Sequence, residues 1–524
     1  MDGNKIRVGV ITSTKNMPAW AFYIIEQLRT SDYANIALVI GEDQPSEQSL
    51  TQRIVHAYLR AEGRSAQTLT QEEVESLLDG IPFASPSDPN LLSHKLDLIL
   101  HLGFQPAPAH LAQVTRFAVW EISDGERIVL ADDVPGFFEV LHRKPITDCA
   151  VWASDGNKNL ALLQGPIATD PISISRNREN FFWKAAILLL KAIRTLYHDG
   201  KLIPVDESGI GSIQFTGSRP NVLDLVRLGA SQVSRFVVKK IRKSFYRDQW
   251  ILMLAKNTGE IVPNWDAFQP LYPPMNKFWA DPFILEREGR YYVFIEELTY
   301  KTNLGRLACM VLDADGKILE NRPILDKPYH LSYPFIFEFD GTLYMIPETG
   351  EKETIDVYRC VSFPFEWEYQ STLMEGIEAK DATLLEHNGK WWLFVTVRQH
   401  DHGSTWDQLS IFWADYPLTD AWTSHPLNPV IVDVRTARPA GHIFPRNGAL
   451  IRPSQDCSVR YGYALNFNRI TKLSETEFDE VLVTRLEPPG GTKILATHTC
   501  NKAGGITVID ATIRRRKNSV NLAD

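Results

Sequence analysis

A recurring two-residue turn constrains this chain more than any other feature. Gly289, Gly341, Gly389 and Gly448 each follow an acidic residue or an asparagine (Glu288, Asp340, Asn388, Asn447), and each sits between two apolar or aromatic runs. That is the signal of a tight β-hairpin. A fifth, weaker copy is Gly504-Gly505 ahead of Ile506-Thr507-Val508-Ile509. Spacings of roughly 50 to 60 residues approach the length of one four-stranded propeller blade. The stretch from Trp279 to Thr512 is therefore expected to fold as a five-bladed β-propeller.

Counting from the turn glycines locates a candidate site. Eight residues before them stand Asp281, Tyr333, Asp381, Ala440 and Thr497; seven after them stand Glu296, Glu348, Thr396, Gln455 and Thr512. In an up-and-down blade the start of the innermost strand and the end of the second strand share one end of the propeller. Asp281, Asp381, Glu296 and Glu348 are thus expected to converge on one mouth of the central channel. A ring of carboxylates around an aromatic-lined opening suits a polyhydroxylated substrate. The plainer alternative makes some of them solvated rim charges, or partners of Arg398, Arg438 and Arg452.

Length and composition bound the rest. A chain of 524 residues implies two or three domains, and 44% hydrophobic with 23% charged residues is the balance of a soluble globular protein. A formal charge of −9 leaves no overall basic field to neutralise phosphates, which argues against nucleic acid as the main partner. Cys149, Cys309, Cys360, Cys457 and Cys500 are scattered without CxxC spacing, so reduced thiols, a cytoplasmic setting and no structural zinc are expected. Met1-Asp2-Gly3-Asn4-Lys5 leads straight into an apolar run, which reads as the absence of a secretory signal. No apolar run approaches the roughly 18 residues needed to span a bilayer.

The first 200 residues read differently. Apolar runs at Ile6–Thr12, Ile36–Ile40 and Leu96–Leu102 alternate with helical patterns such as Trp20–Arg29, which predicts a parallel sheet in an α/β domain. GxGxxG and GxxxxGK[ST] are both absent, so a dinucleotide or P-loop site is not expected. The opening strand, Asp97-Leu98-Ile99-Leu100 with Gly103-Phe104, Pro135-Gly136-Phe137-Phe138-Glu139-Val140-Leu141 and the helix Asn180–Leu196 resemble the formyltransferase family. The resemblance implies a sheet that binds formyl-tetrahydrofolate, and chemistry carried by an Asn-x-His pair and a later Asp; Trp120 and Ile122 stand at the Asn and His positions, and no neighbouring histidine is expected to replace them. A degenerate domain retained as a scaffold or binding module is therefore expected, with amino-sugar N-formyl transfer as a further alternative.

Residues 201–248 read as a linker carrying Gly209, Gly211 and Gly217, followed by a basic amphipathic helix over 222–247. That helix suits either peripheral contact with an anionic membrane or an interdomain role with a solvated basic face. Trp250–Leu254 is expected as a strand completing the last blade, so that chain start and chain end close the ring. The propeller domain is placed at 249–513, and 514–524 as a frayed basic tail.

Two resemblances bear on the propeller. Trp279-Ala280-Asp281-Pro282-Phe283-Ile284 with Gly289-Arg290-Tyr291-Tyr292-Val293-Phe294 is similar to the first blade of furanosidase-type five-bladed propellers, such as arabinanases and β-xylosidases. It implies Asp281 as general base and Asp381 as the residue that tunes the acid; the acid position of the fourth blade is Ala440. His330-Leu331-Ser332-Tyr333-Pro334, Ile346-Pro347-Glu348-Thr349, His425-Pro426-Leu427-Asn428-Pro429, Ala437-Arg438-Pro439-Ala440-Gly441 and Arg452-Pro453-Ser454-Gln455-Asp456 look like the N-terminal domain of plant glucosamine inositolphosphorylceramide transferase.

The expectation is thus a multidomain α/β plus all-β chain: a formyltransferase-like parallel sheet domain (1–200), then a five-bladed β-propeller of furanosidase type. Its expected role is carbohydrate-active, in glycan or glycolipid assembly, with glycosyl hydrolysis or transfer at the propeller mouth; the alternative is a non-catalytic glycan-binding module. Asp281, Glu348 and Asp381 are the catalytic candidates, Glu348 serving as acid if burial raises its pKa. Tyr333, Arg438, Arg452, Gln455, His498 and Glu296 are the substrate-binding candidates, Arg438 and Arg452 for an anionic group. No cofactor is expected beyond a divalent cation such as calcium, held in the channel by a histidine and carboxylates. The expected partner is a glycan or glycolipid head group.

Overall fold

The structure is a computed structural model that describes residues 5–13, 17–42, 50–61, 71–155, 159–205, 219–256, 259–398 and 403–517. The chain divides into two compact units, Met1–Phe236 and Val237–Asp524. The glycines at 209, 211 and 217, the last residues of the tail and the extreme N-terminus lie outside the described residues.

The first unit is built on a seven-stranded sheet. Its strand order is Phe83–Ala84, Ala34–Gly41, Ile6–Thr12, Leu98–His101, Val119–Ser123, Ala150–Ser154, Asn159–Gln164. The first five strands run parallel, Ala150–Ser154 runs antiparallel to them, and Asn159–Gln164 is antiparallel in turn to Ala150–Ser154. Central strands such as Ile6–Thr12 are almost wholly buried, as expected where helices cover both faces of a parallel sheet. Ala19–Thr30 packs on the long helix Ile174–Asp199, with Trp20 stacked on Phe182 at 4.8 Å.

One sequence expectation about this unit needs correcting. Trp120 is fully buried and its indole donates to Phe117 O (2.8 Å), yet a histidine does lie beside its strand. His101 ends the neighbouring strand, and its Nδ1 is 3.1 Å from Glu121 Oε1 with Glu42 at 3.7 Å from Nε2. The two carboxylates outweigh burial and raise the His101 pKa to about 9. The pairing joins residues on adjacent parallel strands, which no local motif announces.

The second unit is a five-bladed β-propeller. Blades 1 to 4 each run as four consecutive antiparallel strands: Lys277–Arg287 to Ile318–Leu325, Ser332–Phe339 to Glu366–Glu375, Ala379–His387 to Thr423–Ser424, and Phe444–Arg446 to Phe478–Leu486. In blade 5, Ile494–Ala496 and Cys500–Ala503 form the innermost edge, followed by Ile506–Arg516, Tyr246–Lys256 and Gln269–Leu271. Tyr246–Lys256 pairs with Ile506–Arg516 along its whole length, closing the ring between the two ends of the unit and covering a sheet edge. Arg514, Arg515 and Arg516, expected in a frayed tail, extend this last strand, because Tyr246, Arg247 and Asp248 offer backbone partners and Asp248 pairs with Arg514 at 2.9 Å.

The predicted turns have positive φ at both central residues: Glu288 54° and Gly289 73°, Asp340 48° and Gly341 69°, Asn388 53° and Gly389 74°, Asn447 48° and Gly448 76°, Gly504 52° and Gly505 86°. That is the geometry that matches the right-handed twist of the flanking strands.

The helix Val222–Phe245 connects the units in sequence. Its first half rests on the first unit, with Leu228 buried among Val55, Val134, Phe137 and Ile174, and Tyr58 Oη donating to Gln232 Oε1 at 2.5 Å.

Candidate functional site at the propeller channel

A break in each innermost strand makes the site. In blades 1 to 3 the register shifts between Ala280 and Phe283, between Ser332 and Phe335, and between Lys380 and Thr383. The residues at these bulges, Asp281 (φ 50°), Tyr333 (φ 44°) and Asp381 (φ 56°), are left-handed, a conformation few non-glycine residues adopt outside turns and functional sites. Blade 4 has Gly441 (φ 126°) next to Ala440, and a Cβ there would meet Cys500 O at 2.2 Å. A bulge re-aims the side chain relative to the pleat. These residues are the ones counted eight before the turn glycines, or adjacent to them.

The bulges bind the blades to one another. Asp281 Oδ2 accepts from Tyr333 N (3.2 Å) and Oδ1 from Thr499 Oγ1 (2.8 Å), joining blade 1 to blades 2 and 5. Tyr333 Oη shares a hydrogen bond with Thr383 Oγ1 and accepts from Gly441 N, both at 2.8 Å. Asn501 Nδ2 donates to Pro282 O and its Oδ1 accepts from His442 N.

Two cationic clasps lie in this ring. On one side His498 Nδ1 is 2.6 Å from Asp510 Oδ2 and 3.7 Å from Asp281 Oδ1, and its ring stacks on Trp250 at 4.1 Å. Burial lowers the imidazole pKa but the two aspartates more than reverse this, bringing it to about 9. Asp281 itself is pushed up by burial, against the pull of His498. On the other side Arg438 donates through Nε (2.5 Å) and Nη2 (3.3 Å) to the Asp381 carboxylate, with Glu348 Oε2 at 3.6 Å from Nη2. Gln455 Nε2 completes the Asp381 shell at 2.8 Å, and Lys380 Nζ binds Glu348 Oε1 at 2.9 Å. Burial pushes Asp381 up to about 7 despite the guanidinium. Glu348 goes the other way: burial raises it, but Lys380 and Arg438 pull harder and the net shift is downward.

The expectation that burial would make Glu348 an acid is therefore corrected. Its carboxylate is held charged by two cations. Like Asp381, Glu296 is raised by burial to about 7; it stands 3.1 Å from His330 Nε2. His330 is raised in turn, its carboxylate neighbours outweighing burial.

Asp281, Glu348, Asp381, Arg438, Gln455, His498, Glu296 and the backbone of Tyr333 are brought together. Arg452 is not. It is buried and forks onto Glu480 (2.7 and 2.6 Å), with Thr436 O as a further acceptor, inside blade 4. It stands three residues before Gln455, hence on the opposite face of the same strand.

Sequence reasoning missed His330, Lys380, Asp510, Trp406 and Tyr461. Asp510 interrupts the apolar run Val508-Ile509 where blades 1 to 3 carry Phe294, Ile346 and Phe394 at the same offset from the turn, and that interruption was a usable signal. Trp406 and Tyr461, both half-buried, lie 5.7 Å apart, and Arg438 sits over the Tyr461 ring at 4.9 Å. Neither falls on the repeat.

Asp281, His498 and Asp510 each present one ligand atom within 4.8 Å of the others. The donor set fits calcium poorly, since calcium takes six to eight oxygens. These carboxylates already accept from the backbone N–H groups of Tyr333, Asp281, His498 and Thr499. A protonated imidazole fills the place a cation would take.

Fold and site define a five-bladed β-propeller with a buried, charge-paired ring at one end of its inner strands. Residues 271–490 match the family model described as glucosamine inositolphosphorylceramide transferase 1, N-terminal. Curated relatives include glucosamine inositolphosphorylceramide transferase 1 of Oryza sativa subsp. japonica, 34% identical over 215 residues (40% of this chain, 28% of the relative). The protein of that name from Arabidopsis thaliana is 32% identical over 211 residues (40% and 27%). The chain thus spans little more than a quarter of these relatives' length. Solved structures with a similar fold include a family 117 glycoside hydrolase from Zobellia galactanivorans (12% identity, 53% of this chain and 96% of that one, TM-score 0.34). Another is the α-L-arabinanase of Cellvibrio cellulosa (12%, 39% and 77%, TM-score 0.30).

Proposed function

We propose that this is a carbohydrate-active protein whose propeller recognises a hydroxyl-rich sugar, or the sugar-phosphate head group of a glycolipid, at the channel mouth. The observation that carries the reading is the clasped ring. Carboxylates and cations are fixed in alternation within hydrogen-bonding distance of one another, beside two half-buried aromatic rings. Fixed acceptors and donors next to an aromatic face are what a sugar hydroxyl pattern is read by. The relatives' name, which couples glucosamine to an inositol phosphoceramide, supports a head group of that kind.

Binding is favoured over hydrolysis by Asp281 and Glu348. A glycosidase needs one carboxyl that can give up a proton and one that is free to act as base or nucleophile. Glu348 is held ionised, Asp281 is enclosed by donors, and the fourth blade offers Ala440. One observation favours turnover: Glu296, 3.1 Å from His330, is raised by burial to about 7, the range a general acid needs.

Calorimetric titration of the full chain with glucosamine, with inositol 1-phosphate and with neutral methyl glycosides tests the proposal. Saturable binding of at least one, weakened about tenfold by Trp406→Ala without loss of stability, is expected. Failure of all three classes to bind sinks it. Release of free sugar from any glycoside, abolished by Glu296→Gln, would instead establish the turnover reading.

A further inference from the structure

The helix Val222–Phe245 leaves an apolar face uncovered along its whole length. Of the 22 large apolar side chains exposed among the described residues, nine belong to this one helix. Val226 (64%), Val233 (67%), Val237 (47%) and Ile241 (56%) lie close together on one side, since steps of four and seven residues return to the same face of a 3.6-residue helix. The side that is packed, marked by Asp224 and Leu228, points the opposite way.

Charge says what covers that face. The helix has a single acidic residue, Asp224, which is buried, and six basic ones. Lys239, Lys240, Arg242 and Lys243 are exposed and form no ion pair among the described residues, in a chain whose formal charge is −9. Four free cations beside an apolar stripe match a surface that is apolar within and negative at its rim. Lysine and arginine stems can lie along such an apolar face while their charged ends reach the polar layer. No helix among the described residues is long and apolar enough to cross a membrane, so the match is to an in-plane position.

We propose that this helix docks the protein on an anionic lipid bilayer, with Val226, Val233, Val237 and Ile241 in the interfacial layer and Lys239, Lys240, Arg242 and Lys243 against the lipid phosphates. The inference does not depend on what the propeller binds. It adds a place of action, the surface of an anionic bilayer.

Flotation of the full chain with phosphatidylcholine vesicles, with and without about 30% phosphatidylserine, tests it. The anionic vesicles are expected to bind at least tenfold more protein, and raising salt from about 0.1 M to about 0.5 M should remove most of that difference. Lys239→Gln with Lys240→Gln should weaken binding about 25-fold, at roughly fivefold per charge. Val233→Ser with Val237→Ser should abolish it at both salt concentrations. These positions are exposed, so an unchanged circular dichroism spectrum is expected for both variants. Equal binding to neutral vesicles, no binding to either, or indifference to both double substitutions overturns the proposal. So does concentration-dependent dimerisation that Val233→Ser with Val237→Ser reverses without any vesicle binding, which would make a second copy the occupant. Soluble sugars binding normally to a variant that no longer floats would separate this inference from the propeller reading.

Discussion

The two sides of the channel ring hold the same kind of object with different cations. Around His498, two aspartates share an imidazole that can lose its charge. Around Arg438, an aspartate and a glutamate share a guanidinium that cannot, and Lys380 adds a second positive charge. The fork of Arg438 fixes Asp381 in orientation through two donors. The imidazole of His498 makes one contact with Asp510, which also accepts from backbone N–H groups, while Asp281 is held mostly by Tyr333 N and Thr499 Oγ1. One side is held by a cation that keeps its charge and the other by a cation that titrates.

The largest test of this contrast is removal of each cation. Arg438→Met leaves two buried carboxylates facing each other and should cost about 3–5 kcal/mol, read from denaturant unfolding of the propeller. His498→Gln should cost less, about 1–3 kcal/mol, because Asp281 and Asp510 keep their backbone donors. If the histidine substitution proves the more damaging, the permanent side is not the frame.

Titration comes next. His498 has its folded pKa raised to about 9 from 6.5, so it binds a proton more tightly folded than unfolded. Its contribution is complete below pH 6.5 and is lost as pH rises through about 9, a loss of about 3–4 kcal/mol at most. Glu296, raised from 4.5 to about 7, and Asp381, raised from 3.8 to about 7, act with the same sign in a lower window, their shares disappearing as pH climbs through 7. Propeller stability should therefore fall between pH 7 and 9. His498→Gln should flatten that fall, and Arg438→Lys should leave it. The measurement belongs on the propeller transition, because His101 contributes with the same sign in the first unit. An imidazole resonance for His498 that titrates near 6.5 would break the comparison.

Smaller effects sharpen it. Lys380→Met should weaken sugar binding about tenfold, by removing a partly exposed donor at the mouth and letting Glu348 turn, with little change in unfolding. Thr499→Val should cost about 1 kcal/mol, the value of one buried hydrogen bond to Asp281, and should lower the His498 pKa slightly if at all. A large loss there would mean that the hydroxyl, and not the backbone donors, holds the titrating side.

Much of this was legible in the sequence because it is periodic. A turn needing positive φ at two successive positions selects glycine, asparagine or an acidic residue, and counting from those turns reached Asp281, Asp381, Glu296, Glu348 and Gln455. The closing strand was legible because an apolar run ahead of the first blade had no partner in its own neighbourhood. Period two would also have put Arg452 on the face away from Gln455, had parity been applied to it. The exposed face of the helix Val222–Phe245 was written in its apolar spacing, but whether anything covered it was not.

What the sequence determined by itself was the number of blades and the place on each where a side chain could turn inward, because turns and bulges are local and repeat. What only the tertiary structure decided was which charge meets which. Asp281 and Asp510 stand 229 residues apart and Asp381 and Arg438 57 apart, yet each is within hydrogen-bonding distance of its partner. Two glutamates at equivalent positions in their blades acquire opposite shifts: Glu348 has a lysine and an arginine beside it, and Glu296 a single histidine. In a buried site a carboxyl's protonation depends on the few charges within several ångströms of it, and the closure of the ring chooses those.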